Sequence, residues 1–166
     1  MIFLKEKEYN RKKAVEYALK WAYKRNPKYY NFDSVGGDCT SFISQCIYAG
    51  AGIMNYKKHI GWYYNSPSDR TASWSGVEYL YNFLTKNKGI GPRAIVSNIE
   101  KIEVGDIIQL RFLKDRFSHS LIIVDKKGNT LDDMYIATHT EDAYYRKVST
   151  YNFLDIRFLH ITNISI

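Results

Sequence analysis

The chain has 166 residues, of which 45% are hydrophobic and 25% are charged. This length suits one domain, 1–166, and the composition is that of a folded protein, which excludes a disordered tail. Lys and Arg number 24 against 17 Asp and Glu, so the net charge is +7. Most such charge is a solvated face, although it also favours an anionic partner. No apolar run reaches the roughly 18 residues that a membrane span needs.

Three helices are predicted in the first half of the chain. Residues 9–25 carry apolar side chains at helical spacing, and Asn26-Pro27 is expected to end that helix. Asp38 is a good N-cap for a second helix, which Gly50 is expected to close in the left-handed conformation. Residues 74–86 are predicted to form the third helix.

The second half has the residue types of β-strands. β-Branched and aromatic residues are frequent in four segments: 107–112, 119–124, 134–138 and 155–161. Helices followed by antiparallel strands describe an α+β domain.

The two cysteines are predicted to lie in the second helix with different roles. Cys39 and Cys46 are about 10.5 Å apart along a helix, which is too far for a disulfide. Cys39 would lie in the first turn, where free amides and the helix dipole lower a thiol pKa and can receive an oxyanion. The alternative is ordinary packing, since free cysteine is often buried. Cys46, two turns further on, is predicted to be a core residue.

Two of the four histidines are candidates for a base and its orienting partner. A hairpin loop at 126–132 pairs Asp125 with Asp133 and therefore places His119 opposite His139, about 5 Å apart on one sheet face. Inert packing of the two histidines, or a zinc site with Cys39, remains open at this point. The other two histidines, His59 and His160, have no visible partner, and Asp106 is taken as a turn residue.

An aromatic segment follows the second helix. Trp62 and its neighbours could line a substrate groove, because aromatic rings stack on sugar or base faces. The alternative is that they belong to the core.

The segment Gly36-Gly37-Asp38-Cys39-Thr40-Ser41-Phe42-Ile43-Ser44-Gln45 resembles the cysteine motif of the Putative amidase domain family. That family is related to the NlpC/P60 and CHAP cell-wall hydrolases. The resemblance spans about residues 9–142 and continues through further short motifs: Trp62-Tyr63-Tyr64, Ser73-Trp74, Gly105-Asp106-Ile107-Ile108, Ser118-His119-Ser120 and Thr138-His139-Thr140.

The resemblance implies a papain-like, NlpC/P60-type domain in which the helix of the nucleophile packs on an antiparallel sheet. It implies Cys39 as nucleophile, His119 as base and His139 as the third polar residue of a cysteine amidase or peptidase. Peptidoglycan peptides are the implied substrates, and no metal or organic cofactor is needed. By analogy, Tyr30 could contribute to the oxyanion hole.

Two other function classes remain open. One is a catalytically silent relative that binds cell-wall glycopeptide. The other is a basic nucleic-acid-binding module. The sequence has no motif for nucleic-acid binding, so no nucleic-acid partner is expected. No signal peptide is visible at Met1 to Lys5. The compartment is therefore left as unknown: extracellular for an excised domain or a lysin, and cytoplasmic otherwise. The sequence does not indicate an oligomeric state.

Overall fold

Helices pack against one face of a seven-stranded antiparallel sheet in the computed structural model, which describes residues 4–166. The predicted α+β class is confirmed. Met1, Ile2 and Phe3, on which part of the signal-peptide expectation rests, lie outside the described residues. No helix in residues 4–166 has the length and apolar character needed to cross a bilayer.

The elements follow one another as a short strand, four helices with a small hairpin among them, and then the main strands. The helices are α1 (Arg11–Trp21), α2 (Cys39–Ala51), α3 (Ala72–Ser75) and α4 (Val77–Lys86). The strands are β1 (Glu6–Lys7), β2 (Tyr64–Ser66), β3 (Asp69–Arg70), β4 (Gly91–Ser97), β5 (Ile107–Arg111), β6 (His119–Lys126), β7 (Met134–Thr138), β8 (Ala143–Lys147) and β9 (Asp155–Ser165).

Helix α2 ends two residues later than predicted. Gly52, with φ 71°, is its left-handed closing residue, whereas Gly50 lies inside the helix. A Cβ atom at Gly50 would come within 2.5 Å of the Tyr9 ring and 2.7 Å of the Asn10 carbonyl oxygen. Gly50 is therefore needed for the close approach of α2 to the start of α1. The predicted third helix is also divided, because Gly76 has an extended backbone between α3 and α4.

The main sheet has the strand order β1-β9-β5-β6-β7-β8, and β4 also pairs with β9. One face packs on α1, α2 and α4, and its core includes the fully buried Ile107, Ile122 and Leu159. The other face carries a second apolar cluster that includes Leu121 and Ile136 and is covered by the segments around 99–104 and 148–158. The sheet therefore has two buried faces.

The predicted register of the β6–β7 hairpin is wrong by one residue. Ile122 pairs with Ala137, and a bulge lies between Ile123 and Asp125. A short 3₁₀ helix, Leu131–Asp133, occupies the loop and shifts the pairing. Because successive residues of a strand face opposite sides, a shift of one residue exchanges the two faces. His119 and His139 therefore do not share a face.

Asp106, predicted to be a turn residue, is a fully buried structural anchor. Its carboxylate accepts hydrogen bonds from Arg11 Nη1 at 2.7 Å and from the backbone N–H groups of Glu103 and Ile161. His160 Nδ1 lies 2.7 Å from the same carboxylate, so this histidine does have a partner. The network joins α1, the loop before β5 and β9.

Candidate active site

Cys39 is the first residue of α2, and Asp38 occupies the N-cap position without a capping hydrogen bond from its side chain. One carboxylate oxygen of Asp38 instead accepts the Phe32 N–H at 2.8 Å, and the other lies 2.6 Å from His139 Nδ1. The Asp38 side chain therefore does not occupy the amides of the first turn, which remain directed towards the region of the Cys39 thiol.

The thiol of Cys39 lies beside the first residues of β6. Cys39 is 6% exposed, and the next residue, Thr40, hydrogen-bonds through Oγ1 to Ser120 Oγ at 2.9 Å. Burial raises the pKa of Cys39 and the charge of Asp38 adds to the rise, while hydrogen bonds from Ser120 and Thr40 act in the opposite direction. The predicted lowering by the helix dipole is therefore outweighed, and the thiol is protonated in the free protein.

His119, immediately before Ser120 in β6, is 7% exposed. Burial lowers the pKa of His119 to about 4, and the nearby charge of Arg146 contributes in the same direction. The imidazole is therefore neutral at physiological pH. A neutral imidazole can accept a proton, which is the property that a general base requires.

The tautomer of His119 follows from its contact with Thr138. His119 Nε2 lies 3.4 Å from Thr138 Oγ1. Thr138 Oγ1 also lies 2.9 Å from the backbone carbonyl oxygens of both Ser120 and His139, so the hydroxyl donates its single proton to a carbonyl. Thr138 Oγ1 therefore accepts from His119 Nε2–H, which leaves Nδ1 as the unprotonated nitrogen.

A cavity of about 530 Å³ opens at His119. Phe112, Arg146 and Tyr151 are among its lining residues, and Arg146 stacks on the Tyr151 ring at 3.8 Å from the centroid. The Tyr151 ring lies 5.9 Å from the His119 imidazole. Burial raises the pKa of Tyr151.

His139 lies on the helix-facing side of β7, away from the ring of His119. Its Nδ1 contacts Asp38 at 2.6 Å and its Nε2 donates to the Trp21 carbonyl at 2.7 Å. The ring also stacks on Phe42 at 3.9 Å between centroids. Both ring nitrogens are engaged, so His139 has no atom left to orient His119. The alternative zinc site of Cys39, His119 and His139 is likewise not assembled among the described residues.

The loop between β7 and β8 is strained next to the cavity. Thr140 and Glu141 have φ values of 64° and 57°, a left-handed conformation that is unfavourable for a β-branched residue. The Thr140 hydroxyl accepts the backbone N–H of Asp38 at 3.2 Å. Strain of this kind persists where the surrounding structure enforces it, and here it fixes the start of α2 against the edge of the cavity.

The two predicted substrate-binding aromatics have different positions. Trp62 is fully buried and its indole N–H donates to Ser44 Oγ at 3.0 Å, so it is a core residue and does not line a groove. Tyr30 is 41% exposed on the loop before α2, where its ring packs edge-on against Phe32. A role for Tyr30 in substrate binding stays a prediction.

Three residues around His119 were not identified from the sequence: Thr138, Arg146 and Tyr151. Thr138 directly precedes His139, and only the strand register decides which of these two neighbours faces His119. Arg146 and Tyr151 lie beyond the segment that carries the recognised motifs, and their approach to His119 is a consequence of tertiary structure.

Comparisons with known proteins agree with the motifs of this site. Residues 8–162 match the model of the family described as "Putative amidase domain". Two curated relatives come from Bacillus subtilis (strain 168), and both are uncharacterized proteins. YhbB is 39% identical over 127 residues, which cover 74% of this chain and 39% of YhbB. YjcM is 26% identical over 142 residues, which cover 81% of this chain and 31% of YjcM. The chain thus spans between three and four tenths of the length of these relatives. No solved structure matches the chain. Since the family model extends over nearly all of the chain, including Cys39 and His119, the protein belongs to the Putative amidase domain family.

Proposed function

We propose that this domain is a cysteine amidase or peptidase with Cys39 as nucleophile and His119 as general base. The observation that carries the proposal is that Thr40, the residue after Cys39, hydrogen-bonds through Oγ1 to Ser120 Oγ at 2.9 Å, so that the start of α2 lies beside His119, which lines a ligand-sized cavity. The Tyr151 ring lies beside the His119 imidazole in this cavity. A nucleophile helix packed on an antiparallel sheet, with the base at the start of a strand, also supports the papain-like assignment.

The reaction begins from a neutral thiol and a neutral imidazole. Cys39 Sγ attacks the amide carbonyl carbon while its proton passes to His119 Nδ1. The oxyanion receives hydrogen bonds from the uncapped amides at the start of α2. The amine leaves with the proton from His119, and a thioester remains on Cys39. Water then attacks the thioester, with His119 again accepting a proton, and the acid product and free thiol are formed.

Thr138 takes the orienting role that the sequence assigns to His139. Its hydroxyl oxygen holds Nε2–H of His119 and so directs Nδ1 to the substrate side. The 3.4 Å distance is long, as is common for catalytic hydrogen bonds without substrate. His139 is instead a positioning residue, because it joins Asp38 at the start of α2 to the backbone of α1.

The substrate class that we propose is the peptide amide of peptidoglycan. The family description supports amide hydrolysis, and the relation to cell-wall hydrolases supports the peptide. A cavity of about 530 Å³ is in the range that accommodates a short peptide segment.

Digestion of purified bacterial sacculi tests the proposal directly. The wild type is expected to release fragments whose masses identify the cleaved bond, and Cys39→Ala is expected to release none while remaining folded. Cys46→Ala is the matched control, because Cys46 is fully buried in the same helix and has no proposed role. Equal release by wild type and Cys39→Ala would refute the thiol mechanism.

The role of Thr138 is tested by Thr138→Val, which keeps the shape and removes the hydroxyl. We expect kcat to fall by roughly 10- to 100-fold with KM little changed, because general-base catalysis depends on the orientation of the imidazole. Thr138→Ser restores the hydroxyl and should recover most of the loss. Failure of Ser to recover activity would assign Thr138 a packing role only.

A catalytically silent glycopeptide-binding domain is the second candidate, favoured by the burial that raises the pKa of Cys39. Alkylation separates the two candidates. A catalytic Cys39 should react with iodoacetamide faster than Cys46, for which burial raises the pKa well above its usual range. Equal and slow alkylation of both thiols, together with glycopeptide binding that survives Cys39→Ala, would favour the silent domain.

A further inference from the structure

A second cavity lies between the loop that follows α2 and helix α4. It has a volume of about 460 Å³ and is enclosed by the loop 55–61 and by residues 79–89 of α4 and its following turn. The two cavities have no lining residue in common, and neither Cys39 nor His119 lines this one. This basic cavity is therefore separate from the proposed active site.

The charged residues that line the basic cavity are three lysines, Lys57, Lys86 and Lys88. His59 also lines it, and neither Asp nor Glu is part of the lining. Among the described residues, the lysines that form ion pairs are Lys12 and Lys147. The three cavity ammonium groups thus have no carboxylate partner among the described residues, and their positive charges are not neutralised within the protein.

The loop wall of the basic cavity has a fixed backbone conformation. Gly61 N–H donates to the Lys57 carbonyl at 2.8 Å, and a Cβ atom at Gly61 would approach the Asn55 carbonyl oxygen to 2.3 Å. Between them, His59 has the left-handed φ of 66°. This tight turn holds Lys57 and His59 next to each other at the cavity.

The two walls of the cavity are joined by a buried amide. Asn55 is 5% exposed; its Nδ2 donates to the Ile90 carbonyl at 2.9 Å, and its Oδ1 accepts the Lys57 N–H at 3.0 Å. The loop is thereby attached to the turn that carries Lys88. The backbone that carries Lys57 and Lys88 is therefore already held in place before any ligand is bound, which reduces the conformational cost of binding.

We propose that the basic cavity binds a compact anion that carries two or more phosphate groups. Lysine ammonium groups bind phosphate oxygens as point charges, and three of them on facing walls match negative charges distributed along a short polyphosphate. Asn82 and Tyr79, which also line the cavity, supply uncharged polar groups and an aromatic surface. This site is independent of the amidase proposal, since its ligand neither contacts nor requires Cys39.

Calorimetric titration of the whole chain with inorganic tripolyphosphate at low ionic strength tests the site. One-to-one binding is expected, and Lys57→Gln/Lys86→Gln/Lys88→Gln should weaken it by about 10-fold or more, since each exposed charge contributes modestly. The matched control is Lys12→Gln/Lys13→Gln/Lys20→Gln, which removes the same charge from the exposed face of α1 and should leave the affinity unchanged. If the cavity triple variant does not fold, the single Lys57→Gln and Lys88→Gln variants provide the same comparison.

Four results would overturn the proposal. Absence of binding by the wild type, or equal weakening by both triple variants, would reduce the cavity to part of a general positive charge. Citrate binding as tightly as tripolyphosphate would remove the preference for phosphate. Tighter binding of the oligonucleotide dT10, lost in the cavity variant alone, would replace a compact ligand by a phosphodiester strand.

Discussion

Replacing His119 by Gln tests whether burial keeps this imidazole neutral. The ordinary pKa of histidine is 6.5, and burial lowers the pKa of His119 to about 4 in the folded chain. At pH values between these two pKa values, His119 therefore binds a proton in the unfolded chain but not in the native chain. The contribution of the neutral His119 imidazole to the free energy of unfolding is fully present above about pH 6.5 and is lost as the pH falls towards about 4.

The magnitude follows from the difference between the two pKa values. At about 1.36 kcal/mol for one pKa unit, the wild type loses about 3 kcal/mol of unfolding free energy across this interval because of His119 alone. His119→Gln cannot gain the proton, so its unfolding free energy should fall less over the same interval, although other acid-sensitive groups still contribute to both proteins.

Urea unfolding followed by circular dichroism, at several values between about pH 7 and pH 4, measures this difference. The gap between wild type and His119→Gln should change by about 3 kcal/mol from the top to the bottom of that range. His59→Gln, at an exposed position, is the control and should follow the wild type. Parallel curves for wild type and His119→Gln would refute the buried, neutral base.

Three further substitutions test other parts of the structure. Arg146→Met removes a charge that adds to the effect of burial in lowering the pKa of His119, so the acid limb of kcat/KM should move to higher pH, whereas Arg146→Lys should leave it in place. Asp38→Asn removes the charge from a buried carboxylate with three hydrogen-bonding or ionic partners and should reduce the unfolding free energy in urea by about 1–3 kcal/mol. Gly50→Ala forces a methyl group against Tyr9 and should lower the unfolding free energy by about 1–3 kcal/mol in the same assay.

Much of the architecture could be predicted from local pattern. Helical spacing identified α1 and α2, and β-branched content identified β5, β6, β7 and most of β9. Strands β4 and β8 were not predicted. Strand β4 contains Pro92, and residues Ile95 and Val96 of that strand are exposed, so it lacks the alternation of a half-buried strand.

For Cys39 and His119, the position in the fold was predictable from the sequence, but the orientation and environment were not. The position of Cys39 at a helix start and of His119 at a strand start follows from sequence, whereas the direction of their pKa changes depends on burial, which sequence does not reveal. Thr138, and not His139, contacts His119 because the observed hairpin register differs by one residue from the predicted register. That register depends on the Leu131–Asp133 turn and on a bulge, both of which are set by tertiary packing.

The end of β7 has a mechanical consequence for the site. Thr138 contacts His119 on one side of the sheet, and its chain neighbour His139 holds Asp38, the residue before Cys39, on the other. A single peptide bond thus links the residues that support Cys39 and His119, the two groups of the proposed mechanism. When the domain fluctuates, sulfur and imidazole should be displaced together, so that their separation varies less than the position of either group.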